Sequence, residues 1–191
     1  MAIKLLAPAA AICLSLTTMA RLTPAVAQTA ELHAALASDS SFIQEAGSLG
    51  LLQVKLGKLA QQKGSSEVVR DFGKRMVAEY SKANEDLAAG AKQAAYPRPV
   101  LLRPHQQVFD RFNGMSRSAF DKSYMAEMVS EHDEMTQLFE REAKDGRIQS
   151  LKQLASSMLP AAQAHQALAA ETAGSVGATV SATTLQARKG S

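Results

Sequence analysis

The chain has 191 residues, 46% of them apolar and 20% charged, which fits one globular domain and excludes wholesale disorder. Aromatic residues make up 5% and Trp is absent, so a core must be built from Leu, Val, Met and Ala. The net charge of +3 suggests a mildly basic protein, and a single Cys excludes an intramolecular disulfide.

The N-terminus alters that reading. Lys4 is followed by an apolar stretch from Leu5 to Ala20, then by Arg21 and the small-residue site Ala25-Val26-Ala27. A basic start, an apolar centre and a small-residue site predict a secretory signal peptide over residues 1–27, cut after Ala27. Only 16 residues separate Lys4 from Arg21, and they include Pro8, which is short for a membrane span of about 20 apolar residues. The expected location is therefore the periplasm or the exterior, with no transmembrane segment in the mature chain. Removing residues 1–27 takes away Lys4, Arg21 and Cys13 and no acidic residue, which leaves 19 Lys and Arg against 18 Asp and Glu. A nearly neutral chain without a dense basic block argues against nucleic acid as a partner. A Cys-free mature chain excludes thiolate zinc sites, iron–sulfur clusters, thiol nucleophiles and covalent haem attachment.

Residues 28–38 form an Ala-rich lead, and Ser38-Asp39-Ser40-Ser41 is dense in helix N-cap formers, with Ser41 and Gln44 fitting a capping box. Phe42, Ala46, Leu49, Leu52, Leu56, Leu59 and Ala60 then recur at helical intervals up to Lys63-Gly64. Ser65 or Ser66 caps a second helix striped by Val69, Phe72, Met76, Tyr80, Ala83 and Leu87, which fades near Ala95. Residues 96–116 hold several prolines and a short helix from Pro104 to about Phe112. A third long helix starts near Ser118, carries Tyr124, Met125, Met128, Val129, His132, Met135 and Phe139, and stops at Gly146. The fourth shows Leu151, Leu154, Met158, Ala161, His165 and Leu168 before Gly174. Residues 174–191 lack periodicity and read as a disordered tail.

A faint repeat aligns Val69, Phe72, Gly73 and Met76 with Leu151, Leu154, Ala155 and Met158 at an offset of 82. Two helical hairpins joined by about twenty residues predict an all-α four-helix bundle over residues 39–173. A connection of that length can run the length of the bundle, as in ferritin-like folds, although periodicity alone leaves the topology open.

Each long helix brings one polar residue toward the middle: Gln53, Tyr80, His132 and His165. At 1.5 Å per residue they stand about 17, 22, 21 and 28 Å from their hairpin turns, close enough in height to meet. Two readings follow. One is a hydrogen-bonded structural cluster, since a buried polar group is costly unless satisfied. The other is a site for a divalent metal built from His132 and His165 with Tyr80 and Gln53 assisting, although Gln and Tyr are weak substitutes for carboxylates. Met125, Met128, His132 and Met135 share a face that suits copper(I), and the same methionines serve equally as core filler. Glu79 and Glu131, each next to an inner residue, are expected at the rim because adjacent helical positions point about 100° apart. His33 and His105 are expected to be solvated. Pro160 should kink the fourth helix and release the carbonyl of Ser156. No Ser-His-Asp spacing, phosphate loop or nucleophile elbow occurs, so no familiar enzyme signature is present.

Taken in order, certain motifs resemble a family of exported bacterial proteins, domain of unknown function family 4142. They are Phe42-Ile-x-x-Ala46, Gly50-x-x-Gln53-Val-x-Leu-Gly57-x-Leu-Ala60, Ser66-Glu-Val68-x-x-x-Phe72 and Met76-Val-x-Glu79-Tyr80-Ser-Lys-x-Asn84. Phe120-Asp-x-x-Tyr124-Met, Met128-Val-x-x-His132 and Leu159-Pro160-x-x-x-x-His165 complete the set, over about residues 41–171. The resemblance implies a ferritin-like bundle outside the cytoplasm with an inner polar set suited to a metal. Members of that family usually carry Glu at the position of Gln53 and His at that of Tyr80, so this chain keeps half of the strong ligands. The expectation is an exported binding or stress-related module with a structural polar cluster and no enzymatic signature. The alternative is a metal-binding or metal-dependent redox protein using His132 and His165. An envelope protein partner or a homo-oligomer is compatible with either.

Overall fold

The apolar stripes fold as the spacing predicts, into helices that cover one another's inner faces. The computed structural model describes residues 24–179, with side chains described from residue 37 onward. The expected signal segment before residue 24, the tail from residue 180 and the His33 side chain lie outside the described residues. Five helices follow in order: α1 (Pro24–Lys63), α2 (Glu67–Gln93), α3 (Arg103–Asn113), α4 (Arg117–Asp145) and α5 (Gln149–Ser175). Among the described residues there is no strand, and no helix is long and apolar enough to cross a membrane.

Two aspartates fix the topology. Neither Ser66 before α2 nor Ile148 before α5 caps its helix with its own side chain. Asp121, in the first turns of α4, instead accepts hydrogen bonds from the Ser65 and Ser66 amides at 3.0 and 2.7 Å. Asp39, on α1, accepts from the Arg147 and Ile148 amides at 3.0 and 2.8 Å. Each hairpin's second helix is thus capped by a carboxylate from the other hairpin, where an anion also meets the positive end of the helix dipole. The two aspartates stand 82 residues apart, the offset of the internal repeat.

These caps place the start of α4 beside the α1–α2 turn and the α4–α5 turn beside Asp39. The chain therefore leaves α2 at one end of the bundle and must climb back before α4 begins. It climbs along α1. Pro99 fills the space a Cβ on Gly47 would take, at 2.2 Å, and Lys55 reaches the Gln106 side chain at 3.4 Å. Lys63 closes the path by donating to the carbonyls of Asn113 and Met115 at 2.6 and 3.0 Å. The bundle is accordingly up-down-down-up with one long crossover, the ferritin-like arrangement. α1 packs on α2, α3 and α4, and α5 packs on α2 and α4.

The core joins Leu49, Leu52 and Leu56 of α1 to Phe72 and Met76 of α2 and to Tyr124, Met125, Met128 and Met135 of α4. α1 and α2 cross at a glycine pair. A Cβ on Gly57 would sit 2.6 Å from the Gly73 carbonyl oxygen, and one on Gly73 would sit 2.7 Å from the Gly57 oxygen. No side chain fits there, so the backbones approach closely.

Three expectations need correction. The helix does not start at Ser38–Ser41: α1 already runs from Pro24, and Asp39 caps α5 rather than its own helix. His105 is buried, with Nδ1 accepting from the Ser48 hydroxyl at 2.5 Å, while Ser48 Oγ accepts from the Leu102 amide at 2.8 Å. That pair anchors the crossover to α1. On α5 the inner line runs through Ala155, Ala162, His165 and Ala169, and Ala161 is exposed. As expected, Pro160 falls inside α5, and it faces solvent. Gly146 does stop α4, but at φ −54 and not in a left-handed turn. A Cβ there would strike the Glu142 side chain at 2.5 Å, so space, not φ, demands glycine.

Candidate functional site: a mid-bundle histidine cluster

Tyr80 of α2, His132 of α4 and His165 of α5 are all buried and meet at mid-bundle. Tyr80 lies 5.8 Å from His132 and 5.2 Å from His165 between ring centres, and the two imidazoles are 5.7 Å apart. Phe72 closes the near side, edge-on to His132 at 6.1 Å. Gln53 is buried as its spacing predicts, but neither atom of its amide makes a hydrogen bond to these three or to any other group.

The two histidines are held differently. His132 donates from Nδ1 to the Met128 carbonyl at 2.8 Å, within its own helix. Nε2 therefore carries the lone pair, and it is buried with no hydrogen-bond partner. Burial, and next the charge His165 would carry, hold the His132 pKa down at about 4 against the accepting Met128 carbonyl, so the ring is neutral near pH 7. His165 is tied from both sides by α2. Its Nε2 donates to Glu79 Oε2, and its Nδ1 faces the Tyr80 hydroxyl at 3.3 Å. Arg75 holds the other Glu79 oxygen at 2.7 Å.

A hydrogen-bonded chain thus runs inward from Arg75 through Glu79 and His165 to Tyr80. Burial alone would raise the Glu79 carboxyl, but the bonds from His165 and Arg75 outweigh it and hold the group below its usual value. Burial, reinforced by the charges of Glu79 and Glu131, pushes the Tyr80 phenol upward, so it stays protonated.

Glu79 and Glu131 depart from the expected rim placement in different ways. The Glu79 side chain is 41% exposed, as a rim residue should be, yet its carboxylate reaches inward to His165. Glu131 is buried at 1% exposure. It lies on the broad inner side of α4, which is covered by α1 and by α5 at once. Two-sided coverage of one helix buries positions that a single-stripe reading assigns to the rim.

A carboxylate gripping the far nitrogen of a histidine is the arrangement that orients metal ligands. Two imidazoles sharing an ion at bonds of about 2.0–2.1 Å have ring centres no more than about 6 Å apart, which His132 and His165 satisfy at 5.7 Å. The donor set is thinner than the spacing. Among the described residues no group of three or more His, Cys, Asp or Glu converges to hold a metal, and His165 already uses both nitrogens. Met125, Met128 and Met135 are buried on the same helix as His132 and pack as part of the core. The arrangement present is a partly satisfied polar core that ties α5 to α2.

No functionally curated protein and no solved structure matches the chain. A family profile, that of a domain of unknown function (DUF4142), matches residues 21–172. That span covers α1, α2, α3 and α4 entirely, nearly all of α5, and the mid-bundle residues Gln53, Tyr80, His132 and His165. The chain belongs to the DUF4142 family.

Proposed function

We propose that this protein is an exported helical-bundle module of the periplasm, a binding or stress-related protein whose polar core fastens one hairpin to the other. The observation that carries this reading is His165, which spends both ring nitrogens on Glu79 and Tyr80 of the opposite hairpin. Both nitrogens of this ring are engaged in joining α5 to α2. Export rests on Lys4, the apolar residues 5–20 and Ala25-Val26-Ala27, and cutting after Ala27 would remove only the first turn of α1.

A second reading has its own support: the buried, neutral and unpartnered Nε2 of His132, in a ring 5.7 Å from His165. In it the protein binds a divalent metal or copper(I) between the two histidines, with Tyr80 and Gln53 beside them.

One experiment separates the two. The protein is purified from the periplasmic fraction, its N-terminus is sequenced, and its metal content is measured beside that of a His132→Ala, His165→Ala variant. The first reading expects a chain beginning at Gln28 with no stoichiometric metal. Stoichiometric metal that vanishes in the double variant overturns it in favour of the second. An uncleaved chain retained in the cytoplasm overturns export in both.

A further inference from the structure

The crossover, lying along α1 beside α2, leaves an open cleft of about 500 Å³ floored by half-buried Leu51, Val54 and Leu101. Two cations reach this cleft from different elements, Lys55 from α1 and Arg98 from the crossover. Among the described residues neither stands within ion-pair distance of a carboxylate. Both are nevertheless held in place. The Lys55 ammonium lies over the Phe109 ring at 4.3 Å and donates to Gln106 Oε1 at 3.4 Å, and both of these partners are neutral. Arg98 stands between two anchored prolines. The Pro97 carbonyl accepts from Gln44 Nε2 at 3.1 Å, and Pro99 fills the space above Gly47.

We propose that this cleft binds a small amphipathic monocarboxylate, of the medium-chain fatty acid class, whose carboxylate pairs with Arg98 and Lys55 and whose chain lies along Leu51, Val54 and Leu101. The proposal goes beyond both readings of the histidine cluster and holds under either.

The lining selects this occupant by charge, by geometry and by its apolar floor. Glu85 is the one carboxylate of the lining, and it is exposed. Two cations against one carboxylate leave a single net positive charge, which a monoanion balances and a dianion overshoots. A guanidinium presents parallel N–H donors that match the two oxygens of a carboxylate, and an ammonium adds a point charge beside it. Because Lys55 and Arg98 are already positioned by neutral contacts, a ligand has little side-chain ordering to impose. The leucines and the valine would stay wet under an inorganic anion, whereas an alkyl chain removes their surface from water. The volume falls in the range of small-molecule pockets and far exceeds that of a bare ion. A cation finds the opposite of what it needs, since two positive groups face it.

Calorimetric titration of the full mature protein with sodium octanoate at pH 7 and low salt tests the site. Sodium acetate, 1-octanol and octylammonium chloride are separate titrants that keep only the charge, only the chain, or the chain with the opposite charge. Saturable one-to-one binding of octanoate, weakened by about tenfold or more in both Arg98→Gln and Lys55→Gln, is the expected result. Arg141→Gln, which removes an exposed cation from α4, should leave it unchanged. The proposal is overturned if octanoate does not saturate a single site or if either glutamine variant binds it as well as wild type. Acetate, octanol or octylammonium binding as tightly as octanoate overturns it too, as does equal weakening in Arg141→Gln. Circular dichroism of each variant confirms folding before titration.

Discussion

Replacing His132 by Gln removes a buried titrating ring while keeping a polar side chain of similar length. In the folded protein His132 stays neutral down to about pH 4, whereas in the unfolded chain it takes a proton near pH 6.5. Because the folded value lies below the unfolded one, the unfolded state binds more protons in that window and stability falls as pH falls. The contribution is whole above about pH 6.5 and gone below about pH 4. At about 1.4 kcal/mol per tenfold change in proton affinity, the loss reaches about 3 kcal/mol.

The wild-type profile alone would mislead, because Glu142 acts with the opposite sign. Its folded value, raised to about 7, gives a contribution that is present below about pH 4.5 and lost as pH rises through 7. The quantity to follow is the difference in unfolding free energy between wild type and His132→Gln, from urea melts at half-unit steps between pH 4 and 8 with chelator present. In that difference Glu142 cancels. The wild type should lose its advantage progressively toward pH 4. A flat difference, or a wild type that gains on the variant at low pH, would refute a neutral buried His132.

Other substitutions probe the frame. Asp39→Ala strands two amides at the start of α5 and should cost about 2 kcal/mol in urea unfolding, with Asp39→Asn recovering part of it. The same Asp39→Asn change removes a charge that raises Glu142, so the Glu142 titration, followed by NMR, should move down. Gly57→Val drives a side chain against the Gly73 carbonyl and should cost about 1–3 kcal/mol or more, whereas Gly174→Ala meets nothing within 4 Å and should be neutral or mildly stabilising. Equal effects at the two glycines would mean that the α1–α2 crossing is looser than described.

The stripes of α2 and α4 were legible because each helix in isolation shows intervals of three and four. The meeting of Tyr80, His132 and His165 was legible from height along the helices. Less legible was everything that depends on a partner brought from far along the chain. Ser38-Asp39-Ser40-Ser41 has the composition of a helix start, yet it lies inside α1, and Asp39 serves the amides of residues 147 and 148. Glu79 occupies a rim position by angle but has the reach to bond His165 on α5. His105 sits in a proline-bordered connection that looks solvated until α1 supplies Ser48 beneath it. Periodicity reports which face of a helix turns inward; it does not report which neighbours arrive, or how far a long side chain extends. The Asp39–Asp121 pair did leave a trace, since the repeat offset of 82 also relates the two caps, but only the fold shows that the caps are exchanged between hairpins.

The central claim is that the polar core joins α2 to α5 through Glu79 and His165 rather than awaiting a ligand. A double-mutant cycle with Glu79→Gln and His165→Gln, read from urea unfolding of chelator-treated protein at pH 7, tests it most directly. A favourable coupling of about 1 kcal/mol or more between the two positions is predicted. Additive effects, with coupling indistinguishable from zero in metal-free protein, would contradict it.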